Sequence, residues 1–373
     1  MANIIIFIHD DYAAGGLQRS AMNIGQALMS KGHSVTIFAI KLTPGGFSEK
    51  FNFVKNVSQN HKIKYVFWYL FATKFRHLLK SNKDSVFIAL GLTTSILLVM
   101  LSLGIKIKGL IGSERIYPPM ETPSKTMSIL RYILFRRFNC VVAQSQKTIQ
   151  WFSENVGLND SQLTIIPNII YSPIPKLSNP LESQTVRDTY KNKYPVIACV
   201  GRLTPQKGFD YAIQIFAIIK KIIPFAKLII VGDGPEKDLL VALVNSLELA
   251  KNILFVPRLD DLSKIFYTSD ILLFTSRYEG FPNVLAEAMA HGLPAIAFDC
   301  LTGPADMIEH GVNGYLTEVG DIIGAAELSL TLLTDHDLRA QFAARAMNIS
   351  DKYSIDVIGE RWSALVKKVS SKQ

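Results

Sequence analysis

The sequence predicts an α/β protein of two domains, each built on a parallel sheet with helices on both faces. Three observations lead there. The chain has 373 residues, more than a single hydrophobic core usually spans. Short β-branched runs alternate with longer helical patterns, which is how parallel strands are joined. The alternation runs through the first half, breaks in a Pro- and Asn-rich segment from Asn168 to Leu181, and restarts at Val196. This gives a first domain at 1–170, a linker at 171–190, a second domain at 191–354 and a closing amphipathic helix at 355–373.

In chain order, Asn3 to Ile8 is the first strand and His33 to Ile40 the second, with a helix between them ending near Gly32. Gly15 and Gly16 stand in the turn before that helix, where a glycine-rich backbone either approaches a phosphate or merely turns. No Gly-x-Gly-x-x-Gly pattern is present, which argues against a dehydrogenase. The uncharged run from Val86 to Ile105 is long enough to cross a bilayer, but Gly91, Thr93, Thr94 and Ser95 interrupt it. It parses better as a buried strand, Ser85 to Leu90, a turn, and a core helix capped by Thr93 or Thr94.

Gly109 onward is a strand that ends at Glu114 and Arg115, at the edge where open α/β sheets gather ligands. Cys140 to Gln144 and Leu163 to Pro167 are further strands. The second half reads as strands at Val196, Lys227, Ile253 and Ile271, with helices from Phe209, Glu236 and Asp260 between them.

The formal net charge of +9 fits anionic partners: phosphate ligands, a membrane surface or nucleic acid. Nucleic acid ranks last, because no helix-turn-helix, zinc-finger or RNA-binding signature occurs. Cys140, Cys199 and Cys300 are far apart in apolar runs, with neither metal-ligand nor disulfide spacing, as expected in a reducing, cytoplasmic compartment. The N-terminal segment lacks a basic region and reaches Asp10 and Asp11 at once, so it reads as a strand and not a signal peptide. Two stretches, His61 to Lys80 and Lys125 to Phe138, mix aromatic or aliphatic residues with bases. They fit either a helix in the headgroup interface, placing the protein at the inner membrane face, or a core helix with a basic outer side.

The most informative stretch is Arg277 to Glu287, Arg-Tyr-Glu-Gly-Phe-Pro-Asn-Val-Leu-Ala-Glu. Gly280 permits a tight turn, and Pro282 suits the first position of a helix that runs to Ala290 and stops at Gly292. Glu279 then lies just before the helix and Glu287 inside it, leaning back toward the same cleft. The free N–H groups of Asn283, Val284 and their neighbours offer an anion site, while the two carboxylates suit sugar hydroxyls. A ligand with both features is a nucleotide sugar. Arg202 and Lys207, in Gly-Arg-Leu-Thr-Pro-Gln-Lys-Gly between a strand and a helix, match a diphosphate: a fork and a mobile point charge. Gly232-Asp-Gly-Pro235 closes the next strand and is at least a turn.

Taken together, Glu279-Gly-Phe-Pro-Asn-Val-Leu-Ala-Glu287, Gly201-Arg202 with Lys207-Gly208, and Gly232-Asp-Gly-Pro235 resemble the family-4 retaining glycosyltransferases of the GT-B fold. The resemblance implies two facing Rossmann-like domains, the donor held mainly by the second, the acceptor by the first, and a last helix returning to the first. It implies that Arg202 and Lys207 bind the donor diphosphate, Glu279 the donor sugar, and Glu287 the ribose. Backbone at Gly280, Phe281, Pro282, Asn283 and Val284, together with Gly15, Gly16 and Gly232, would line the donor. Members need no metal, in keeping with the lack of an Asp-x-Asp motif. Where many members carry a His, this chain reads Ser113-Glu114-Arg115, which looks like a subgroup acting on bacterial surface glycans and puts Glu114 near the donor sugar.

The expected reaction is retaining transfer from a nucleotide-diphosphate sugar, UDP-linked, to a sugar hydroxyl of a lipid-linked glycan. Two alternatives are a nucleotide-sugar epimerase on the same scaffold and a non-catalytic nucleotide-sugar or membrane-binding module.

Overall fold

The computed structural model describes residues 1–10, 16–41, 54–56, 64–120, 124–170 and 194–371. Gly15, the segment 171–190 and residues 61–63 lie outside the described residues, as do the side chains of 64–70. The chain divides into two units, Met1–Ile169 with Tyr353–Gln373, and Ile170–Lys352.

The first unit holds a seven-stranded sheet of β1 (Asn3–Asp10), β2 (Ser34–Lys41), β3 (Val54–Asn56), β4 (Val86–Leu90), β5 (Gly109–Ser113), β6 (Cys140–Ala143) and β7 (Leu163–Ile165). Its order is β3-β2-β1-β4-β5-β6-β7, with every neighbouring pair parallel. The helices are α1 (Gly16–Ser30), α2 (Lys64–Ser81), α3 (Leu92–Ser102), α4 (Lys125–Leu134) and α5 (Gln146–Val156). Chain order reverses between β1 and β4, the mark of a doubly wound sheet. β4 is buried along its whole length, which is why its sequence is apolar without alternation. Phe7 on β1 stacks with Phe87 on β4 at 6.0 Å and meets Phe75 of α2 at 4.6 Å.

The second unit holds a six-stranded parallel sheet of β8 (Val196–Val200), β9 (Lys227–Val231), β10 (Ile253–Val256), β11 (Ile271–Phe274), β12 (Ala295–Phe298) and β13 (Gly314–Thr317), in the order β10-β9-β8-β11-β12-β13. Its helices are α6 (Phe209–Ile222), α7 (Lys237–Ser246), α8 (Ser263–Thr268), α9 (Asn283–Ala290), α10 (Ile322–Thr334), α11 (His336–Ala346) and α12 (Ile349–Lys352). The amphipathic α6 buries Phe209, Ile213, Phe216 and Ile219 against the sheet. The switch point here lies between β8 and β11, whose registers pair Ile271 with Ile197 and Leu272 with Ala198.

Helix α13 (Ile355–Ser371) belongs to the first unit. It buries Ile358, Trp362, Leu365, Val366 and Val369. Gly359 lets it approach α1, since a Cβ there would meet the Ala27 side chain at 3.1 Å. Ser363 Oγ lies 2.9 Å from His33 Nε2.

Two local expectations need correction. The helix after β4 is not capped by Thr93 or Thr94: Gly91 stands at its cap, and Thr94 Oγ1 donates back to Leu90 O at 2.5 Å. A threonine in a first turn finds the preceding carbonyls closer than the following amides. Pro282 is the cap of α9 and not its first residue, because its ψ of 78° is not helical. The run Val86 to Ile105 does divide as expected into β4, a turn and α3, and among the described residues no helix is long and apolar enough to cross a membrane.

The two basic stretches differ. On α2, Phe71, Phe75 and Leu79 form one stripe into the core, and Arg76 Nη1 donates to Leu101 O in the last turn of α3 and to Leu103 O just after it. On α4, Ile129, Tyr132 and Ile133 are exposed beside Lys125, Arg136 and Arg137, while Arg131 faces inward.

Candidate active site

The loops after β8, β9 and β11 converge because those strands are adjacent and parallel. Their carboxyl ends face one edge, the place where a doubly wound sheet leaves a crevice. The loop after β8 is anchored to that after β9: Gly201 N donates to Val231 O at 3.0 Å and Leu203 N to Asp233 O at 3.0 Å. Gly232, at φ 145°, lies so close to Gly201 O that no side chain fits between them.

Lys207 and Glu279 meet at this edge. Lys207 Nζ donates to Glu279 Oε1 at 2.5 Å. The carboxylate is 6% exposed and the lysine side chain 21%, so the pair is sheltered but open on the lysine side. Such an ion pair rarely adds much net stability, since both groups lose water. Thr302 Oγ1 fixes the Glu279 carbonyl from behind, and Gly303 leaves room for Pro282. Sequence reading gave Thr302 and Gly303 no role, because they lie far along the chain on the loop after β12.

Arg202 is exposed and has no side-chain partner among the described residues. Arg277 opens the loop after β11 and grips Asp210 of α6 with both forks, at 2.9 and 2.7 Å. That bond raises the guanidinium pKa further above its ordinary value.

At the start of α9 the picture is partly corrected. Asn283 N–H is not free: it turns back to Phe281 O at 2.9 Å, because the Pro282 backbone folds the chain there. Ala286 N–H reaches Pro282 O at 3.1 Å. The amides of Val284 and Leu285 have no acceptor among the described residues, so the anion-binding end is narrower than the sequence suggests. Glu287 sits half-buried one turn further along α9, and Gly280 and Phe281 form the turn before it.

Cys300 follows β12 beside this loop. Burial pushes its thiol up to about 12, with the Glu279 carboxylate adding to the shift, and burial alone raises Cys199 still more. Both should therefore resist iodoacetamide at pH 8 in the folded protein and react after unfolding. Mass spectrometry with and without denaturant checks this, and native labelling of Cys300 would show the loop opens readily.

The first unit holds the other expected site residues. Gly16 begins α1 and is exposed. Glu114 is buried, with Oε2 3.7 Å from Arg131 Nη2 of α4 and Oε1 accepting from Arg115 N at 3.3 Å. Arg115 Nη1 donates to Asn168 Oδ1 at 2.6 Å, and Ser20 Oγ donates to the same oxygen at 2.8 Å. Burial lowers the Arg115 guanidinium to about 10, which leaves it charged at neutral pH.

A family described as Glycosyltransferase Family 4 matches residues 14–171, and one described as Glycosyl transferases group 1 matches residues 183–348. The chain belongs to the family-4 glycosyltransferases. Over 98% of its length this glycosyltransferase is 28% identical to the amylovoran biosynthesis glycosyltransferase AmsD of Erwinia amylovora, covering all of it. Its fold is that of Anabaena HepE, solved in complexes with UDP and with UDP-glucose, at a TM-score of 0.80 and 21% identity over 99% of this chain and all of that one. WaaG, a glycosyltransferase involved in lipopolysaccharide biosynthesis, matches at a TM-score of 0.73 and 18% identity over 97% of this chain and 99% of that one. The glycosyltransferase therefore has the GT-B fold that its motifs predict.

Proposed function

We propose that this glycosyltransferase moves a hexose or N-acetylhexosamine from a UDP-sugar, with retention, to a sugar hydroxyl of a lipid-linked surface glycan. The observation that carries the reading is the Lys207–Glu279 pair at the β8/β11 switch point, with Arg202 on the same loop. The UDP and UDP-glucose complexes of HepE support the donor class, and the names of AmsD and WaaG support the glycan.

In this reading Lys207 leaves Glu279 for the diphosphate when donor binds, and Glu279 turns to the sugar hydroxyls. Arg202 and the leading amides of α9 take the remaining phosphate oxygens, with Gly232 letting the ligand approach backbone and Glu287 taking the ribose. The bond from the anomeric carbon to the phosphate oxygen breaks, and its electron pair stays on the diphosphate. The growing negative charge meets Arg202 and Lys207, which is where stabilisation matters most. The acceptor oxygen bonds to the anomeric carbon from the face the phosphate leaves, and its proton passes to the departing phosphate oxygen. These cations do the work a divalent ion does elsewhere, so a chelator should leave turnover unchanged. Glu114, engaged with Arg131, is assigned to holding α4 and not to the reacting atoms.

The test is a panel of UDP-, GDP- and ADP-sugars read by thermal shift and by release of nucleotide diphosphate. One UDP-sugar should raise the midpoint by several degrees, and Lys207→Ala should abolish the shift. Well-folded protein that responds to no sugar nucleotide would end the reading.

We further propose that the exposed face of α4 brings the enzyme to an anionic membrane at its cytoplasmic side. Ile129, Tyr132 and Ile133 would enter the headgroup layer, flanked by the bases Lys125, Arg136 and Arg137. Sedimentation with vesicles containing phosphatidylglycerol should pull the protein down at low salt. The double change Ile129→Ser with Ile133→Ser should leave it in the supernatant; unchanged binding would remove α4 from the contact.

A further inference from the structure

We propose that Arg277 is a positioning residue, holding Lys207 and Glu279 in register by tying the loop after β8 to the loop after β11. The inference rests on the reading above that these two groups handle the donor.

Lys207 ends the tight turn Pro205–Lys207. Four consecutive carbonyls around it are all taken from the β11 side. Pro205 O accepts from Arg277 Nη1 at 2.6 Å, and Gln206 O from the Arg277 backbone N at 2.8 Å. Lys207 O and Gly208 O accept from Thr275 Oγ1 at 3.3 and 2.8 Å. One bond returns, from Gln206 Nε2 to Tyr278 O at 2.9 Å, next to Glu279. Gly208 completes the fit: at φ 62° it packs so tightly on Thr275 O that a Cβ has no space.

Within this lattice Arg277 alone spans both sides of Lys207. Its guanidinium reaches Pro205 O before the lysine and both oxygens of Asp210 after it, and it lies 4.2 Å from the Tyr211 ring centre. A planar fork with several donors is the group that can satisfy a carbonyl and a carboxylate together. The Arg277 and Asp210 side chains are 32% and 36% exposed, and an ion pair so exposed adds little to folding stability. Its consequence is geometric. Lys207 has a long flexible stem, so where its ammonium sits depends on where the turn beneath it is held. A shift of about 1 Å in such a group is enough to cost much of its effect.

The experiment titrates the wild type, Arg277→Gln, Arg277→Lys, Lys207→Ala and the double variant Lys207→Ala/Arg277→Gln with UDP, GDP and ADP by calorimetry, and records each unfolding midpoint. Arg277→Gln should weaken the diphosphate that the wild type prefers by roughly tenfold. Arg277→Lys should recover only part, because an ammonium cannot hold Pro205 O and both Asp210 oxygens at once. In the Lys207→Ala background Arg277→Gln should weaken binding no further, while any drop in midpoint persists. Wild-type affinity in Arg277→Gln, or the same tenfold loss on top of Lys207→Ala, would overturn the positioning role alone. A wild type that takes up none of the three nucleotides, or a Lys207→Ala protein that binds as tightly as wild type, would overturn the donor-site reading and the positioning role with it.

Discussion

Replacing Glu279 with Gln should reduce sugar transfer by about 100- to 1,000-fold, equivalent to ~3–4 kcal/mol of lost transition-state stabilisation. The change keeps the volume of the side chain and leaves the backbone bond from Thr302 in place. What it removes is the negative charge beside Lys207 and an acceptor able to take two sugar hydroxyls. Lys207 keeps partial access to water, so it can be solvated when the carboxylate is gone, and the unfolding midpoint should move little. Initial rates of transfer, with calorimetry of donor binding and a thermal melt, separate the two effects. A Glu279→Gln enzyme with more than about a tenth of normal turnover would remove this carboxylate from the reaction.

The second large effect falls on the first unit. Trp362 of α13 is fully buried, and Trp362→Ala should cost about 3–5 kcal/mol. The loss should appear in only part of the unfolding curve. The chain has two units, so urea melts are read as two transitions and not one. The first unit should shift to lower urea, while the melt of the second, whose core includes Phe216, Leu273 and Phe342, stays where it was. A single cooperative transition that moves as a whole would show the two units melt together.

The residues proposed to carry chemistry stood out in the sequence because glycine and proline framed them. Gly201 and Gly232 end strands, while Gly208 and Gly280 turn the chain toward the helices that follow, and those punctuations are where the sheet places its loops. The strands at Val196, Lys227 and Ile271 are continuous apolar runs, as buried parallel strands are, and were legible for that reason. Ala295–Phe298 is only four residues of small and apolar type, which fit a helix or a strand equally well. The roles of Thr275, Arg277, Asp210 and Thr302 depend on contacts between loops some 23 to 72 residues apart in sequence. Local pattern holds no trace of such pairings. The buried Glu114–Arg131 contact is a similar case: position at a strand end pointed Glu114 toward a ligand, whereas the helix packed alongside supplies its partner.

The placement of α13 has a consequence for biosynthesis. Residues 355–371 leave the ribosome after the whole of 170–352, yet they fill a gap in the core begun by residues 1–169. The early-made unit must therefore wait, with the apolar surfaces around Ala27 and Gly109 uncovered, while the later-made one is already complete. A nascent chain stalled near residue 350 should expose those surfaces to a chaperone such as trigger factor, and release of the next twenty residues should end the association.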